Sequence, residues 1–304
     1  MISTIVPPPI GAALSPSAGR ADTTTSVGGC AATGAAVPNA LTKIVARKRQ
    51  EVALAKRTLP MEALQERISE LGRPRNFFQA VVAHGNRRST RIIAEVKRSS
   101  PSAGIIRADF DPVAIARQYH RAGAAAISCL TDEADFGGSL EFIHAIRDAI
   151  PLPVLRKDFI IDAYQVWEAR AFGADAILLI AECLTEAQIV DFQILAVELG
   201  MTTLVEVHDL DNLWRVQPHI GFPHRGYSLL GLNNRNLKTM KTDLSHSLRI
   251  ADMIEDRSIV VAESGIRTSA DLLQLRAHDI HIALVGEHLL RQPDPEAALK
   301  ALLA

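Results

Sequence analysis

The sequence predicts an α/β protein that folds as a (β/α)8 TIM barrel with a helical extension at its N-terminus. From residue 90 onward, eight short apolar runs alternate with helix-like stretches, which is typical of parallel strands covered on both faces. Two near-copies, AGAAAI at 122–127 and FGADAI at 172–177, each join a helix end, a glycine and a strand start. An open doubly wound sheet is the alternative, but no GxGxxG follows a strand to support dinucleotide binding.

The predicted barrel strands are 92–96, 126–130, 153–155, 176–180, 203–207, 229–232, 259–262 and 282–285. The segment after the first strand shows the expected helix signals, with Asp111 as N-cap, Pro112 at the first helical position and Gly123 as terminator. Eight strand and helix units in sequence fit a closed barrel better than an open sheet.

Two segments precede the barrel. Residues 1–40 consist mainly of Ala, Pro, Ser, Thr and Gly and predict a disordered low-complexity tail without the basic n-region of a secretory signal. The barrel domain is predicted at 41–304, including extension helices at 41–85. Within them, 41–57 is a basic amphipathic helix; binding to nucleic acid or a membrane is one interpretation, and the solvated face of a packed helix is the favoured one.

Composition limits the partners of the chain. Its formal net charge is −1, so no overall field attracts nucleic acid or acidic membranes. Cys30, Cys129 and Cys183 are far apart and form no zinc-ligand spacing, which predicts a reducing compartment and no metal site. No apolar run is long enough to span a bilayer. We therefore expect a cytoplasmic protein that binds a small molecule and neither nucleic acid nor a membrane. A monomer is expected, with weak oligomerisation as the open alternative.

Acids and bases recur where the predicted strands end. In a TIM barrel these ends meet at one rim, which carries the chemistry. The residues are Glu95, Lys97, Lys157, Glu206, Asn233, Arg235, Glu263 and Ser264. After the last two strands, Gly265 and Gly286 allow backbone N–H groups to approach an anion closely, as in the phosphate sites of many such barrels. The pattern predicts a catalytic mouth for a phosphorylated substrate.

Six motifs together resemble the indole-3-glycerol phosphate synthase family of tryptophan biosynthesis. They are AEVKRSSPSAG, LRKDFIID, LVEVHD, LGLNNRNL, VAESGI and LVGEHLL. The resemblance extends from about residue 41 to the C-terminus and leaves the tail uncovered. It implies a carboxy-lyase that needs no cofactor. Its reaction closes a ring in 1-(2-carboxyphenylamino)-1-deoxyribulose 5-phosphate and releases carbon dioxide and water.

The resemblance implies a role for each catalytic residue. Lys157 matches the general acid, and burial is expected to lower its pKa; the alternative is a simple ion pair with Asp158. Glu206 matches the second acid and base, with a pKa expected to be raised by apolar surroundings. Lys97 matches a residue that meets the substrate phosphate or carboxylate and is positioned by Glu95, although this pair could merely cap a strand. Asn233 completes the catalytic set.

Other residues match the substrate-binding positions of the family. These are Ser100, Pro101, Phe136, Phe159, Leu178, Arg235, Glu263 and Ser264, and the phosphate-binding positions are Lys97, Gly265, Gly286 and Glu287. For the two phenylalanines, a place in the core remains an equal alternative. Glu287 departs from the small residue often found there, because a carboxylate cannot donate to phosphate. His208 is expected to be structural. The rival functions are a sugar-phosphate isomerase or aldolase on the same barrel, and a scaffold that uses the basic helix.

Overall fold

Eight parallel strands close into a barrel, which confirms the predicted (β/α)8 fold. The computed structural model describes residues 39–82, 89–235 and 242–304. The strands are β1 Arg91–Val96, β2 Ala126–Leu130, β3 Val154–Lys157, β4 Ala176–Ile180, β5 Thr202–Val207, β6 Ser228–Asn233, β7 Val260–Glu263 and β8 Ile282–Val285. Each strand pairs with the next in sequence, and β8 pairs with β1 to close the barrel.

The predicted strands agree with these bounds to within two residues. The differences concern strand ends, because β3 extends to Lys157, β6 to Asn233 and β7 to Glu263. These polar residues therefore belong to the strands and do not follow them. Since side chains alternate along a strand, their directions are set by the barrel wall and are not left to a loop.

Helices cover the outside of the barrel and extend it at the N-terminus. In the described residues they are α1 Asn39–Thr58, α2 Met61–Glu70, α3 Phe77–Val81, α4 Pro112–Arg121, α5 Glu133–Phe136, α6 Glu141–Ala149, α7 Ala163–Ala171, α8 Glu186–Glu198, α9 Leu210–Val216, α10 Leu244–Ala251, α11 Ser269–Ala277, α12 Glu287–Leu290 and α13 Pro295–Leu303. Short 3-10 turns lie at Ala181–Cys183, Gln217–His219, Arg225–Tyr227 and Arg257–Ile259. None of the helices in the described ranges is both long and apolar enough to span a bilayer.

Helices α1, α2 and α3 form the predicted N-terminal extension. Helix α1 starts at Asn39, two residues before the predicted helical pattern. The predicted tail before that point and the end of the predicted extension, residues 83–88, lie outside the described residues. On α3, the fully buried Phe77 and Val81 pack with inward residues of the strands, so this short helix closes the end of the barrel opposite the strand C-termini.

The core has two layers because side chains alternate across the barrel wall. Ile93 on β1 belongs to the inner cluster, whereas its neighbour Ile92 belongs to the cluster between strands and helices. The inner cluster also contains Leu155, Leu178 and Leu204, all essentially without exposed surface. This dry interior is the floor beneath the residues at the strand ends.

Helix α1 is attached to the barrel by its basic residues. The Lys48 side chain is only 5% exposed, and its Nζ lies 2.9 Å from Asp132 Oδ2 and 2.8 Å from Asp158 Oδ1. Arg47 binds Asp132 and Asp135, both at 2.6 Å. The packed-helix interpretation is therefore right in placing the helix against the protein, but two of the charges are docking contacts and not part of a solvated face.

Candidate active site

A cavity of about 550 Å³ opens at the C-terminal ends of the strands. Every site residue expected from the sequence lines it: Glu95, Lys97, Ser100, Pro101, Phe136, Lys157, Phe159, Leu178, Glu206, Asn233, Arg235, Glu263, Ser264, Gly265, Gly286 and Glu287. The structure therefore brings together residues that are far apart in sequence, because the parallel strands carry them to one rim.

Lys157 lies between two carboxylates. It is the last residue of β3, and its Nζ is 3.0 Å from Oε2 of Glu206 on β5 and 3.4 Å from Oε2 of Glu263 on β7. The expected alternative, an ion pair with Asp158, is wrong, since that carboxylate binds Thr131, Arg156 and Lys48 instead. The ammonium is thus directed into the cavity.

The charges of this cluster differ from those expected. Burial disfavours the Lys157 ammonium, but Glu206 and Glu263 outweigh burial and raise its pKa above the ordinary value. Burial likewise disfavours the Glu206 carboxylate, yet Lys157 and His208 lower its pKa to about 2. The expected lowering of the Lys157 pKa and the expected raising of the Glu206 pKa are therefore both wrong, because opposite charges at short range outweigh desolvation.

Glu263 is the carboxyl group of the cluster whose pKa is raised. Burial and the neighbouring Glu206 raise the pKa of Glu263 well above its ordinary value. Two buried carboxylates beside one ammonium cannot both ionise easily, so one retains a proton. In its protonated form Glu263 donates a hydrogen bond to Glu206, which favours this distribution. The electrostatics of the cluster therefore favour an ammonium on Lys157, a carboxylate on Glu206 and the shared proton on Glu263.

Glu95 and Lys97 form a second charged pair in the cavity. The Nζ of Lys97 donates a hydrogen bond to Oε1 of Glu95, and both side chains are largely buried. A Cβ atom at Gly286 would overlap the Glu95 carboxylate. Anion binding at Gly286 stays a prediction, and the contact with Glu95 gives this position a second reason to be glycine. Its lack of a side chain serves to leave room for Glu95.

The backbone after β7 is in an unusual conformation. Ser264 has φ of 65° and Gly265 has φ of 81°, both in the left-handed region. A left-handed non-glycine residue is uncommon, and strained backbone of this kind is often found at functional sites. The side-chain amide of Asn234 donates to the carbonyl oxygen of Ser264 at 3.0 Å and holds this turn. Gly265 thus satisfies a backbone requirement at the predicted anion site.

Arg235 and Glu287 meet at the rim. Arg235 Nη1 donates to Oγ of Ser102 at 3.2 Å, and Nη2 lies 3.5 Å from Oε2 of Glu287. Glu287 also binds Arg291 at 3.0 Å. Burial opposes ionisation of Glu287, but Arg291 and the other nearby cations lower its pKa. The carboxylate is therefore occupied by arginines, and only the backbone N–H at this position remains suited to phosphate.

An apolar wall faces the charged groups. The rings of Phe136 and Phe159 lie 6.3 Å apart between centroids at 41° and both border the cavity, so they are wall residues as well as packing residues. Leu41 and Ile44 of α1 add to the wall. Sequence reasoning missed these two as site residues, because an apolar stripe on a helix gives no sign of which surface it covers.

Comparison with known proteins identifies the family. The family model for indole-3-glycerol phosphate synthase matches residues 41–302. The chain belongs to the indole-3-glycerol phosphate synthase family. It is 48% identical over 264 residues to an indole-3-glycerol phosphate synthase of Rhodopirellula baltica, covering 87% of this chain and 98% of that protein. It is 43% identical over 263 residues to one of Rhodospirillum rubrum, with coverage of 86% and 98%.

Solved structures of low sequence identity support the fold alone. A 3-hexulose-6-phosphate synthase superposes with a TM-score of 0.55 at 15% identity, covering 70% of this chain and 97% of its own. Thiamine phosphate pyrophosphorylase from Pyrococcus furiosus gives a TM-score of 0.51 at 16% identity, with coverage of 71% and 95%.

Family membership makes this chain a carboxy-lyase of tryptophan biosynthesis, which confirms the sequence resemblance and decides against the isomerase, aldolase and scaffold alternatives.

Proposed function

We propose that the cavity carries out the family reaction with Lys157 as general acid and Glu206 as general base. The reaction closes a ring in 1-(2-carboxyphenylamino)-1-deoxyribulose 5-phosphate and releases carbon dioxide and water. The observation that supports these roles is the position of the Lys157 ammonium, 3.0 Å from Glu206 and 3.4 Å from Glu263 inside the cavity. A charged donor and an ionised acceptor are thus adjacent at neutral pH.

Ring closure needs a proton at the ketone oxygen. As the aromatic carbon that bears the carboxylate attacks the ketone carbon, Lys157 gives its proton to the developing alkoxide. Loss of carbon dioxide then restores the aromatic ring. The raised pKa of Lys157 keeps it protonated before this step, so the free enzyme is ready to donate.

Dehydration needs a second proton and a base. The hydroxyl leaves as water once it is protonated, and Glu263, whose pKa is raised by burial and by Glu206, is suited to hold and supply that proton. Glu206 is ionised and removes a proton from the carbon next to the one that loses the hydroxyl. Loss of this proton completes the double bond of the new ring. Across the whole reaction, one proton is taken up for each carboxylate lost as carbon dioxide.

The remaining residues orient the substrate. The phosphate is placed at the backbone N–H groups around Gly265 and Glu287, with Lys97 nearby as a countercharge. The aromatic ring lies against Phe136, Phe159 and Leu178, in the apolar area that such a ring requires. In this arrangement Asn233 and Arg235 face the hydroxyls and the carboxylate, and Ser100, Pro101 and Ser264 shape the mouth.

We further propose that the protein acts as a cytoplasmic monomer without a nucleic-acid or membrane partner. The net charge of −1 gives no general attraction to polyanions. The basic helix α1 also uses Arg47 and Lys48 for contacts within the protein. Sedimentation of the pure protein with and without DNA tests this: a single species of about monomer mass is expected, and a dimer or co-sedimentation contradicts it.

A direct assay tests the function. Purified protein is mixed with the carboxyphenylamino sugar phosphate, and formation of the indole product is followed by its fluorescence. The same protein with Lys157→Ala is the matched control. We expect product from the wild-type protein and almost none from the variant. Equal product from both would remove Lys157 from its role, and no product from the wild-type protein would contradict the proposed function itself.

A further inference from the structure

His208 lies between two carboxylates at the edge of the Lys157 cluster. It follows β5, two residues after Glu206, and its side chain is only 7% exposed. Its Nε2 is 3.5 Å from Oε1 of Glu206, and its Nδ1 is 3.2 Å from Oε2 of Glu182. Within the described residues neither ring nitrogen has a hydrogen bond of good geometry. Both contacts are made to carboxylate oxygens, so they become ion pairs when the ring is protonated.

Glu182 is held in place to receive this histidine. It lies on the 3-10 turn after β4, where its Oε1 accepts the backbone N–H of His208 at 3.0 Å. The guanidinium of Arg215 donates to the carbonyl oxygens of Ala181 and Leu184 and fixes both ends of the turn. One carboxylate thus contacts both the backbone and the ring of His208. This geometry orients the imidazole toward Glu206.

Glu206 and Glu263 both face Lys157, and the contact with His208 distinguishes Glu206 from Glu263. Glu206 contacts Lys157 at 3.0 Å and His208 at 3.5 Å. Glu263 has Lys157 at 3.4 Å, is 1% exposed, and leaves Oε1 without a hydrogen bond in the described part of the chain. If the charge on His208 is removed, Lys157 is left, among the described residues, as the cation that contacts both carboxyl groups.

The charges around His208 favour its protonated form. Burial lowers the pKa of His208, but Glu182 and Glu206 outweigh burial and raise it, while Lys157 opposes them. The His246 ring contacts the backbone carbonyl oxygen of His208 at 2.7 Å, and this contact does not involve the imidazole of His208. The carboxylates on both sides therefore stabilise a cation between them.

Building on the proposed function, we propose that His208, held by Glu182, is a positioning residue that keeps Glu206 ionised and leaves the shared proton on Glu263. Glu206 then begins each turnover as a base and Glu263 as a proton store. If the imidazolium is removed, the proton moves from Glu263 toward Glu206, and the enzyme starts with the wrong carboxyl group protonated. His208 acts on the reaction only through Glu206.

The test is a pH profile of kcat for His208→Asn and Glu182→Gln. We expect His208→Asn to lower kcat at neutral pH about tenfold or more, a loss comparable to that on removing the residues that hydrogen-bond to metal ligands. KM should change less than kcat, and the acidic limb of the profile should move to higher pH. Glu182→Gln keeps the ring and should move the limb less, in the same direction. His219→Asn is the matched control, since His219 pairs with Glu186 at 2.7 Å on the surface and should change nothing.

A purely structural role gives a different result. In that case the variants would lose stability, or would lose kcat equally at every pH with the acidic limb unmoved, and this would overturn the proposal. If His208→Asn fails to fold, Glu182→Gln decides alone: an unmoved limb overturns the proposal and a moved limb supports it. Failure of the proposed function is seen separately, as absence of indole product from the wild-type protein.

Discussion

Gly231 on β6 makes room for the carboxylate of Glu263 on the neighbouring strand β7. A Cβ atom at position 231 would overlap Oε1 of Glu263 and would also lie 3.3 Å from a methyl group of Leu204. Glu263 can therefore turn toward Lys157, because the neighbouring strand has no side chain at position 231. The position of Glu263 beside Lys157 thus depends on the missing side chain at position 231 of the neighbouring strand.

We predict that Gly231→Ala lowers kcat more than stability alone explains. The added methyl displaces Glu263, and a shift of about 1 Å at a reacting centre can cost ~10²-fold in rate. Overpacking a dry core costs about 1–3 kcal/mol, so the variant should still fold. Gly72→Ala is the control, since a Cβ there meets nothing within 4 Å. Measurement of kcat and thermal melting for both variants is the check, and a destabilised Gly231→Ala with unchanged kcat contradicts the idea.

Loss of Lys157 should abolish turnover and leave binding intact. We expect Lys157→Ala to lower kcat by ~10²–10⁴-fold, the usual contribution of general acid catalysis, while the phosphate and ring contacts stay. Glu206→Gln should have a similar effect and lose one limb of its pH–rate profile. Lys300→Ala, which removes an exposed pair with Glu296 on α13, is the control. If Lys157→Ala retains more than about a tenth of the wild-type kcat, that residue is not the acid.

The barrel and the residues that line the cavity could be predicted from the sequence, because both follow from local patterns. A short apolar run fixes a strand, and the polar residue at its end is then directed to the common rim, as for Lys157 and Glu263. The protonation states could not be predicted in this way. They depend on which carboxylates from β5 and β7 face Lys157 across the barrel, and sequence spacing does not contain that distance.

The same limit applies to residues that act by shape or by distant pairing. The sequence does not show that Gly231 makes room for Glu263 or that Gly286 makes room for Glu95, because each pair is brought together only by the fold. Lys48 belongs to a charge run that is usually solvated, yet two of its partners, Asp132 and Asp158, are separated from it by more than 80 positions in the chain. Such contacts are set by tertiary packing, so a local pattern cannot reveal them.

The attachment of α1 should depend on pH. Burial raises the pKa of Asp158, but Arg156 and Lys48 outweigh it and lower the pKa to about 2. A depressed carboxyl pKa contributes stability that is present above the ordinary value near 4 and is lost as pH falls toward the folded value. We expect Lys48→Ala to lower the free energy of unfolding by about 3 kcal/mol at pH 7, as for a broken buried pair.

Urea unfolding at several pH values checks this. The difference between wild type and Lys48→Ala should be largest at neutral pH and should shrink below about pH 4, as Asp158 takes up a proton. Lys56→Ala is the matched control on the same helix, because its pair with Asp162 is largely solvated and contributes little. A difference that is as large at pH 3 as at pH 7 would show that charge pairing with Asp158 is not the cause.

The two glycines at the rim should give different defects when replaced. Gly265 has φ of 81°, so Gly265→Val strains the turn that carries the phosphate N–H groups and should raise KM steeply. Some loss of kcat is expected as well, since remote binding energy helps to position the reacting carbons. Gly286→Ala instead pushes on Glu95 and should mainly lower kcat.

Thermal melts with inorganic phosphate separate a phosphate site from simple turn residues. A ligand that binds only the folded state stabilises it by about 2.7 kcal/mol at a hundred times its Kd. We expect phosphate to raise the Tm of the wild type and of Gly286→Ala, and to raise that of Gly265→Val much less. If all three proteins gain the same increase, the anion binds elsewhere and Gly265 is only a turn residue. If Gly286→Ala alone loses the increase, the phosphate site depends on α12 and not on the turn after β7.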